Sequence, residues 1–223
     1  EFVESGYAII PLDKGSKKPI LKEWEQYSTR GLTDEEKQKF LKMVEEGYNY
    51  AVPGGQKGLV ILDFEDKGLL QKWITESGLR ELCSKTLCVD TPHGGLHVYV
   101  TSKEIPEQKF NPAFVKDNET VMDLQSFRSY VVGPGSCINH KYCSSDKCKW
   151  KGQDNTTCYV AEATPDKAII NETELKSLLK FLIEKGKSKE VGVEPSARLL
   201  EWLGEEAKEA VSYTHLRAHE TGR

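Results

Sequence analysis

The sequence predicts an α+β (α/β) fold on three observations. Gly58-Leu-Val-Ile-Leu-Asp63-Phe-Glu65 is an apolar run bounded by turn residues, Pro53-Gly54-Gly55 before it and Gly68 after it, which is the pattern of a buried strand. Further short strand-like runs recur along the chain, punctuated by Gly, Pro and Asn and interleaved with helical patterns. Residues 172–185 carry Leu175, Leu178, Leu179 and Leu182 on one face of an amphipathic helix.

Each element has its own signal. Tyr7-Ala-Ile-Ile-Pro-Leu12 reads as a first strand, followed by a loop over 13–19 and an aromatic-bearing segment around Trp24. Thr33 with Glu36 is a capping box, and it starts a helix through Phe40, Met43 and Val44 that stops at Gly47. Tyr50-Ala-Val52 precedes the buried strand. A helix over 69–77 containing Trp73 and a further helical turn over 79–82 follow it. Strands over 86–89 and 96–101 are joined by the turn Asp90-Thr-Pro-His-Gly-Gly95. The stretch 105–118, rich in Pro and Asn, reads as loose, and strand patterns resume at Val121-Met-Asp123-Leu-Gln and Ser129-Tyr-Val-Val132. A cysteine-rich excursion interrupts what reads as a hairpin, because Thr157-Cys-Tyr-Val160 resumes the strand pattern. A linker over 187–195 and a last helix through Leu199, Leu200 and Trp202 complete the pattern.

The expected organisation is one main domain over 1–170 with the cysteine-rich excursion at about 137–158, then C-terminal helices over 171–210. Residues 211–223 resemble translated cloning or adapter sequence, and the spacing of His215 and His219 within them carries little weight.

The chain of 223 residues can bury one good core plus a small appendage. No apolar run reaches membrane-spanning length and no signal-peptide pattern opens the chain, so a cytoplasmic location is expected. A net charge of −4 argues against a general nucleic-acid-coating role. Basic residues are nonetheless clustered, at Lys14, Lys17, Lys18 and Lys22 and again at Lys141, Lys147, Lys149 and Lys151, which suits an enzyme that handles phosphates. Six cysteines in an intracellular chain point to metal before disulfides. Cys83 and Cys88, apart from the rest, read as buried structural thiols, with a bridge the alternative in a hyperthermophile.

Strand side chains alternate faces, so Asp63 and Glu65 project together while Phe64 points into the opposite layer. Two acids on one face repel unless a cation sits between them, and a divalent metal is the usual answer. Asp123 sits where a second strand leaves the core, and three such carboxylates can hold two Mg²⁺ or Mn²⁺ ions. Each acid alone reads first as a solvated strand-end residue, a reading that weakens for Asp63 and Glu65 together because turn chemistry does not ask for that pair on one face. His93-x-x-x-His97 has zinc-helix spacing, but Gly94-Gly95 disfavours a helix and no Glu follows His93. The alternative is a glycine turn feeding a strand, with His97 either donating to a triphosphate oxygen or satisfied by a neighbouring strand.

Cys137, His140, Cys143, Cys148 and Cys158 place five soft ligands in one excursion, a strong zinc signal. A structural zinc takes four, and His140, Cys143, Cys148 and Cys158 are the favoured set with Cys137 as alternate. Such a site would replace a hydrophobic core in an element too small to fold alone. The nearby lysines and Trp150 read either as a nucleic-acid-facing surface or as ordinary solvated charge.

This ordered set resembles the bifunctional primase–polymerase (prim–pol) domain of archaeal plasmid replication proteins, in the archaeo-eukaryotic primase superfamily. The resemblance rests on Asp63-x-Glu65 at a strand end, then strand-borne His97 after a small-residue turn, then Asp123, then the Cys/His insertion. It implies an α/β module packed with an RRM-like sheet, a cleft between them, and a projecting zinc stem. It further implies that Asp63, Glu65 and Asp123 hold the catalytic metals and that His97 contacts the nucleotide triphosphate. Arg128, Ser136, Lys18 and Lys22 lie where the resemblance places other nucleotide-binding groups. The partners implied are a single-stranded DNA template, a primer strand and nucleoside triphosphates, with a monomeric chain, no membrane, and a helicase module outside this segment. Nothing in the chain resembles a helicase phosphate loop, so a fragment or a stand-alone version is expected.

Three functions follow from these residues. The first is a primase/DNA polymerase acting by two-metal nucleotidyl transfer. The second is a metal-dependent nuclease, which also uses clustered carboxylates. The third is a non-catalytic, zinc-stapled DNA-binding module, in which Asp63 and Glu65 are incidental.

Overall fold

The computed structural model describes residues 1–73, 83–146, 148–162, 170–187 and 191–208. In chain order its elements are β1 (Ile10–Leu12), α1 (Asp34–Glu45), β2 (Asn49–Pro53), β3 (Leu59–Phe64), α2 (Lys67–Trp73), β4 (Cys88–Asp90) and β5 (Leu96–Thr101). They continue with β6 (Phe110–Lys116), β7 (Glu119–Gln125), β8 (Tyr130–Val132), β9 (Cys137–Asn139), β10 (Thr156–Cys158) and β11 (Val160–Ala161). The last are β12 (Asn171–Glu172), α3 (Leu175–Gly186), β13 (Glu194–Pro195) and α4 (Ala197–Leu203).

The strand that the sequence marks most clearly, β3, lies inside the main sheet, whose order is β11-β4-β5-β3-β7-β6-β13 with β12 added beside β5. Only β12 among these runs parallel to its neighbour. A three-stranded antiparallel sheet, β1-β2-β8, faces it, and β9 and β10 form a separate two-stranded ribbon.

Alternation along β3 builds two cores. Val60, Leu62 and Phe64 enter one, with Val98, Met122 and Leu124 from the flanking strands and with α2, α3 and α4. Leu59 and Ile61 enter the other, against Ile10, Val52, Val131 and Val132 of the smaller sheet. Phe64 meets the Trp73 ring edge-on at 6.0 Å, and Trp73 meets Phe114 at 4.9 Å. The Trp73 indole donates to the Leu182 carbonyl at 2.9 Å, so this deeply buried ring leaves no orphaned donor.

The amphipathic face expected over 172–185 is seated here. Leu175, Leu179 and Leu182 of α3, with Leu199 of α4, are fully buried on the sheet. The C-terminal helices thus share the main core. The capping box also forms. Thr33 Oγ1 accepts from the Glu36 amide, and the Glu36 carboxylate accepts from the Thr33 amide and from both terminal nitrogens of Arg30.

Three expectations are corrected. The loose stretch over 105–118 contains β6, whose pairing with β7 is irregular between Phe110 and Val115. Pro112 has no amide to give the ladder, and that break hides the strand in the sequence. The strand expected over 86–89 starts later, at Cys88. The 187–195 linker ends in β13, which pairs with β6. The end of the 69–77 helix, the turn over 79–82 and the 211–223 tail lie outside the described residues. Cys88 is buried in the core and its Sγ points to the Cys83 carbonyl at 4.0 Å. Among the described residues no helix is long and apolar enough to cross a membrane.

Phe64 anchors the strand end between two acids, so Phe64→Ala is expected to lose about 3–5 kcal/mol of stability. Urea denaturation of the variant beside the parent protein measures it, and a loss below about 1 kcal/mol would contradict the packing described.

Candidate active site

The face of β3 opposite Phe64 looks into the cleft between the two sheets. The register sets Asp63 directly opposite His97 of β5 on one side and Asp123 of β7 on the other. Parity then puts all three side chains on the cleft face, with Gln125 two residues beyond Asp123. Glu65 continues the same face just past the end of β3, where its amide donates to the Val121 carbonyl at 3.0 Å. The His97 Nε2 lies 3.4 Å from Asp63 Oδ1, and the Gln125 amide donates to Asp63 Oδ2 at 3.3 Å.

One carboxylate oxygen from each of Asp63, Glu65 and Asp123 lies within 4.8 Å of the others. Burial, followed by the Asp63 and Glu65 charges, pushes the Asp123 carboxyl up to about 7, against the opposing pull of Lys109. Burial acts upward on Asp63 as well, but His97, Gln125 and Lys17 outweigh it and its carboxyl sits below the usual range. Asp123 Oδ1 is buried with no hydrogen-bond partner among the described residues. A buried carboxylate oxygen without such a partner, on an acid grouped with two others, fits a divalent cation bound by oxygen ligands.

A cavity of about 320 Å³ opens over this cluster. Lys17, Lys109 and Arg128 supply three cations to its wall, Gln125, Thr91 and Tyr159 supply polar groups, and Trp24 with Tyr130 forms an aromatic edge. Lys17 and Tyr159 both line the cavity, and burial raises the cost of charge on the Tyr159 hydroxyl while the Lys17 ammonium lowers it. Burial works against the Lys17 charge, yet Tyr159, Asp63 and Cys143 hold its pKa above the ordinary value.

The structure brings Asp63, Glu65, Asp123, His97 and Arg128 together, and separates three other residues from them. Lys18 lines a neighbouring groove, and Lys22 is exposed and lines neither space. The loop turns tightly between Asp13 and Lys18, through Gly15 at φ +66°, and presents Lys17 to the cavity instead. The Ser136 hydroxyl is occupied by the backbone of Tyr50, accepting from its amide at 3.1 Å and donating to its carbonyl at 3.2 Å.

A second cluster adjoins the first. His93, His140, Cys143 and Cys148 bring one ligand atom each within 4.8 Å of one another. His140 Nδ1 lies 3.1 Å from Cys148 Sγ, and His93 Nε2 lies 3.6 Å from Cys143 Sγ. The other His140 nitrogen meets Thr157 Oγ1 at 2.7 Å, an outer partner that fixes the ring with Nδ1 toward the cluster. Burial, with Lys17 and His140, pushes the His93 ring below its ordinary pKa and so toward the neutral form a metal requires. Two thiols and two imidazoles with an ordered outer partner fit a tetrahedral zinc site.

This arrangement corrects the ligand set read from the sequence. Cys158 stands directly opposite Cys137 in the β9–β10 pair, and the two are joined as a disulfide. Neither is with His140, Cys143 and Cys148, and His93 takes the fourth place. Its signal was the His93-x-x-x-His97 spacing, which is informative only on a turn. There the two rings diverge, one to the thiols and one to the carboxylates. Gln125, two residues after Asp123 on a strand, was legible by parity in the same way. Lys17, Lys109 and Tyr159 carried no local signal, because their approach depends on how loops cross the cleft.

In the metal-free protein Asp123 binds its proton more tightly folded than unfolded, so its contribution to stability falls as pH rises from about 4 to about 7. The difference is on the order of 3–4 kcal/mol. Thermal melts in EDTA are expected to show this fall in the parent protein and to lose it in Asp123→Asn. Adding Mn²⁺ at pH 7.5 is expected to raise the midpoint of the parent and leave that of the variant unmoved. Equal pH profiles for the two proteins would contradict the geometry.

A comparison with curated proteins finds no match. Residues 1–166 match the family described as bifunctional DNA primase/polymerase, N-terminal. With that match covering most of the chain and the strand-borne acids in place, the chain belongs to the bifunctional DNA primase/polymerase (Prim-Pol) family, with the role in DNA replication that this family has.

Proposed function

We propose that the chain is a DNA-dependent primase and DNA polymerase, a nucleotidyltransferase that synthesises and extends primers in plasmid-type replication. The observation that carries this reading is the grouping of three carboxylates, two of which line one cavity together with His97 and three cationic side chains. In this reading Asp63, Glu65 and Asp123 hold Mg²⁺ or Mn²⁺, which supplies charge stabilisation for the attacking 3′-hydroxyl and the leaving pyrophosphate. His97 and Arg128 donate to the triphosphate of the incoming nucleotide, and Lys17 neutralises phosphate charge from the opposite wall. Gln125 holds the Asp63 carboxylate in one orientation through its amide. The two facing sheets stand for the module and RRM-like sheet that the resemblance implies, and the β9–β10 excursion stands for its zinc stem. The partners in this reading are a single-stranded DNA template, a primer strand and nucleoside triphosphates, with the chain working as a monomer beside a helicase module.

Incubation of the protein with labelled unprimed single-stranded DNA, Mn²⁺ and nucleoside triphosphates should give template-dependent products longer than one nucleotide. Asp63→Asn and Glu65→Gln keep side-chain size and are each expected to lower incorporation by about 10²–10³-fold or more with an unchanged circular dichroism spectrum. Extension at the parental rate by either variant, or shortening of the labelled strand in place of lengthening, overturns the proposal.

A second experiment separates the lysines. Lys17→Ala is expected to raise the KM for nucleotide about tenfold, the loss of one charge-assisted contact. Lys18→Ala and Lys22→Ala are expected to stay within about twofold of the parent in the same steady-state assay.

A further inference from the structure

The turn between β4 and β5 is shared by the two clusters. His97 leaves it toward the carboxylates and His93 leaves it toward the thiols. It is closed on itself by the Thr91 amide to the Gly95 carbonyl and by the Gly95 amide to Thr91 Oγ1, both at 3.0 Å. It is also pressed onto the end of β3. A Cβ on Gly95 would fall 2.2 Å from the Phe64 carbonyl oxygen and 3.3 Å from that of Glu65. The Lys67 amide, two residues after Glu65, donates to the Gly94 carbonyl at 2.9 Å, and the Lys67 ammonium bonds Asp90 at 2.5 Å. Any displacement of the turn therefore reaches both His97 and Glu65.

The other three soft ligands come from elsewhere in the chain. His140 belongs to the short helical turn after β9, and Cys143 and Cys148 follow in the loop. Without His93 those three ligands would tie the stem only to itself. With His93, a metal would join the stem to the catalytic turn, across the seam where Lys17 feels both Asp63 and Cys143.

We propose that the His93, His140, Cys143 and Cys148 centre is a staple between stem and β4–β5 turn, and that His93 is a positioning residue through which Zn²⁺ binding sets His97 and Glu65 for the triphosphate. The triphosphate half of this inference rests on the nucleotidyltransferase reading, whereas the mechanical half does not. Because coupling between two ligands is reciprocal, Zn²⁺ and nucleotide each tighten the binding of the other.

The test uses the whole chain, stripped with a chelator and reloaded with Zn²⁺, without template. Backbone hydrogen exchange is followed in the peptides covering 91–97 and 137–158, and affinity for Mg²⁺–nucleoside triphosphate is measured by calorimetry. In the parent protein Zn²⁺ is expected to slow exchange in both peptides and to tighten triphosphate binding, each at least about tenfold. His93→Ala is expected to keep protection of 137–158, where three ligands remain, and to lose both the protection of 91–97 and the gain in affinity. His93→Cys, which retains a soft ligand, is expected to recover them. Zn²⁺ protection confined to 137–158 in the parent protein overturns the proposal, as does a parental response of 91–97 in His93→Ala. If the parent protein binds no triphosphate at all, the nucleotidyltransferase reading fails, while the exchange measurement, which needs no triphosphate, still decides whether the staple exists.

Discussion

Two carboxylates held directly opposite each other in an antiparallel pair repel, and Asp63 and Asp123 keep that arrangement because other groups outweigh the repulsion. The opposing groups are on the reverse faces of the same strands. Phe64, Leu62, Met122 and Leu124 are all buried to within 1% exposure and lie under α2, α3 and α4. A one-residue slip of β3 would bring Phe64 into the cleft and Asp63 into that apolar layer. Moving a carboxylate into an unpaired apolar environment is far less favourable than leaving it beside a second acid at the cleft. The core therefore fixes the register, and the register fixes the cluster.

The same parity explains why the site lies between the sheets. Leu59 and Ile61 carry the cleft face of β3 into the second core, and only past Ile61 does that face turn polar. The smaller sheet contributes Tyr130, Val131 and Val132 to the cavity wall and so limits access of water to the acids. A partly dry wall strengthens each electrostatic contact inside it, the repulsion among the acids included. Burial and then the Asp63 and Glu65 charges are the physical origin of the raised Asp123 carboxyl.

How much could be read in the sequence follows from the range of the interactions involved. Asp63, Glu65, His97 and Asp123 were legible because strand alternation is local and turn residues mark each strand end. The capping box of α1 and the buried face of α3 were legible for the same reason. The pairing of Cys137 with Cys158 was not, since it depends on which residues of β9 and β10 stand opposite each other after a stem of about twenty residues folds back. Once that pair is removed, the ligand set needs a histidine from a segment more than forty residues earlier in the chain. The choice of Lys17 over Lys18 and Lys22 turned on the geometry of one loop, where three nearby lysines look alike in composition. β6 was hidden by Pro112, whose missing amide is a valid argument against a regular central strand and is accommodated here by irregular pairing next to the short strand β13.

Two clusters of different donor type so close together raise the question of what keeps their ligands apart. Softness gives the first answer, since thiols with imidazoles favour zinc while carboxylates favour magnesium or manganese. Geometry gives the second. His93 and His97 share one turn, yet they start on opposite sides of Gly94 and Gly95, and Gly94 at φ +86° takes a backbone conformation that other residues rarely adopt. Charge gives the third, because Lys17 lines both the cavity over Asp63 and the neighbouring groove beside Cys143. A cation bordering both groups would repel a metal ion passing from one to the other. The lysine that a reading of composition could not single out is therefore the one that borders both sets of candidate ligands.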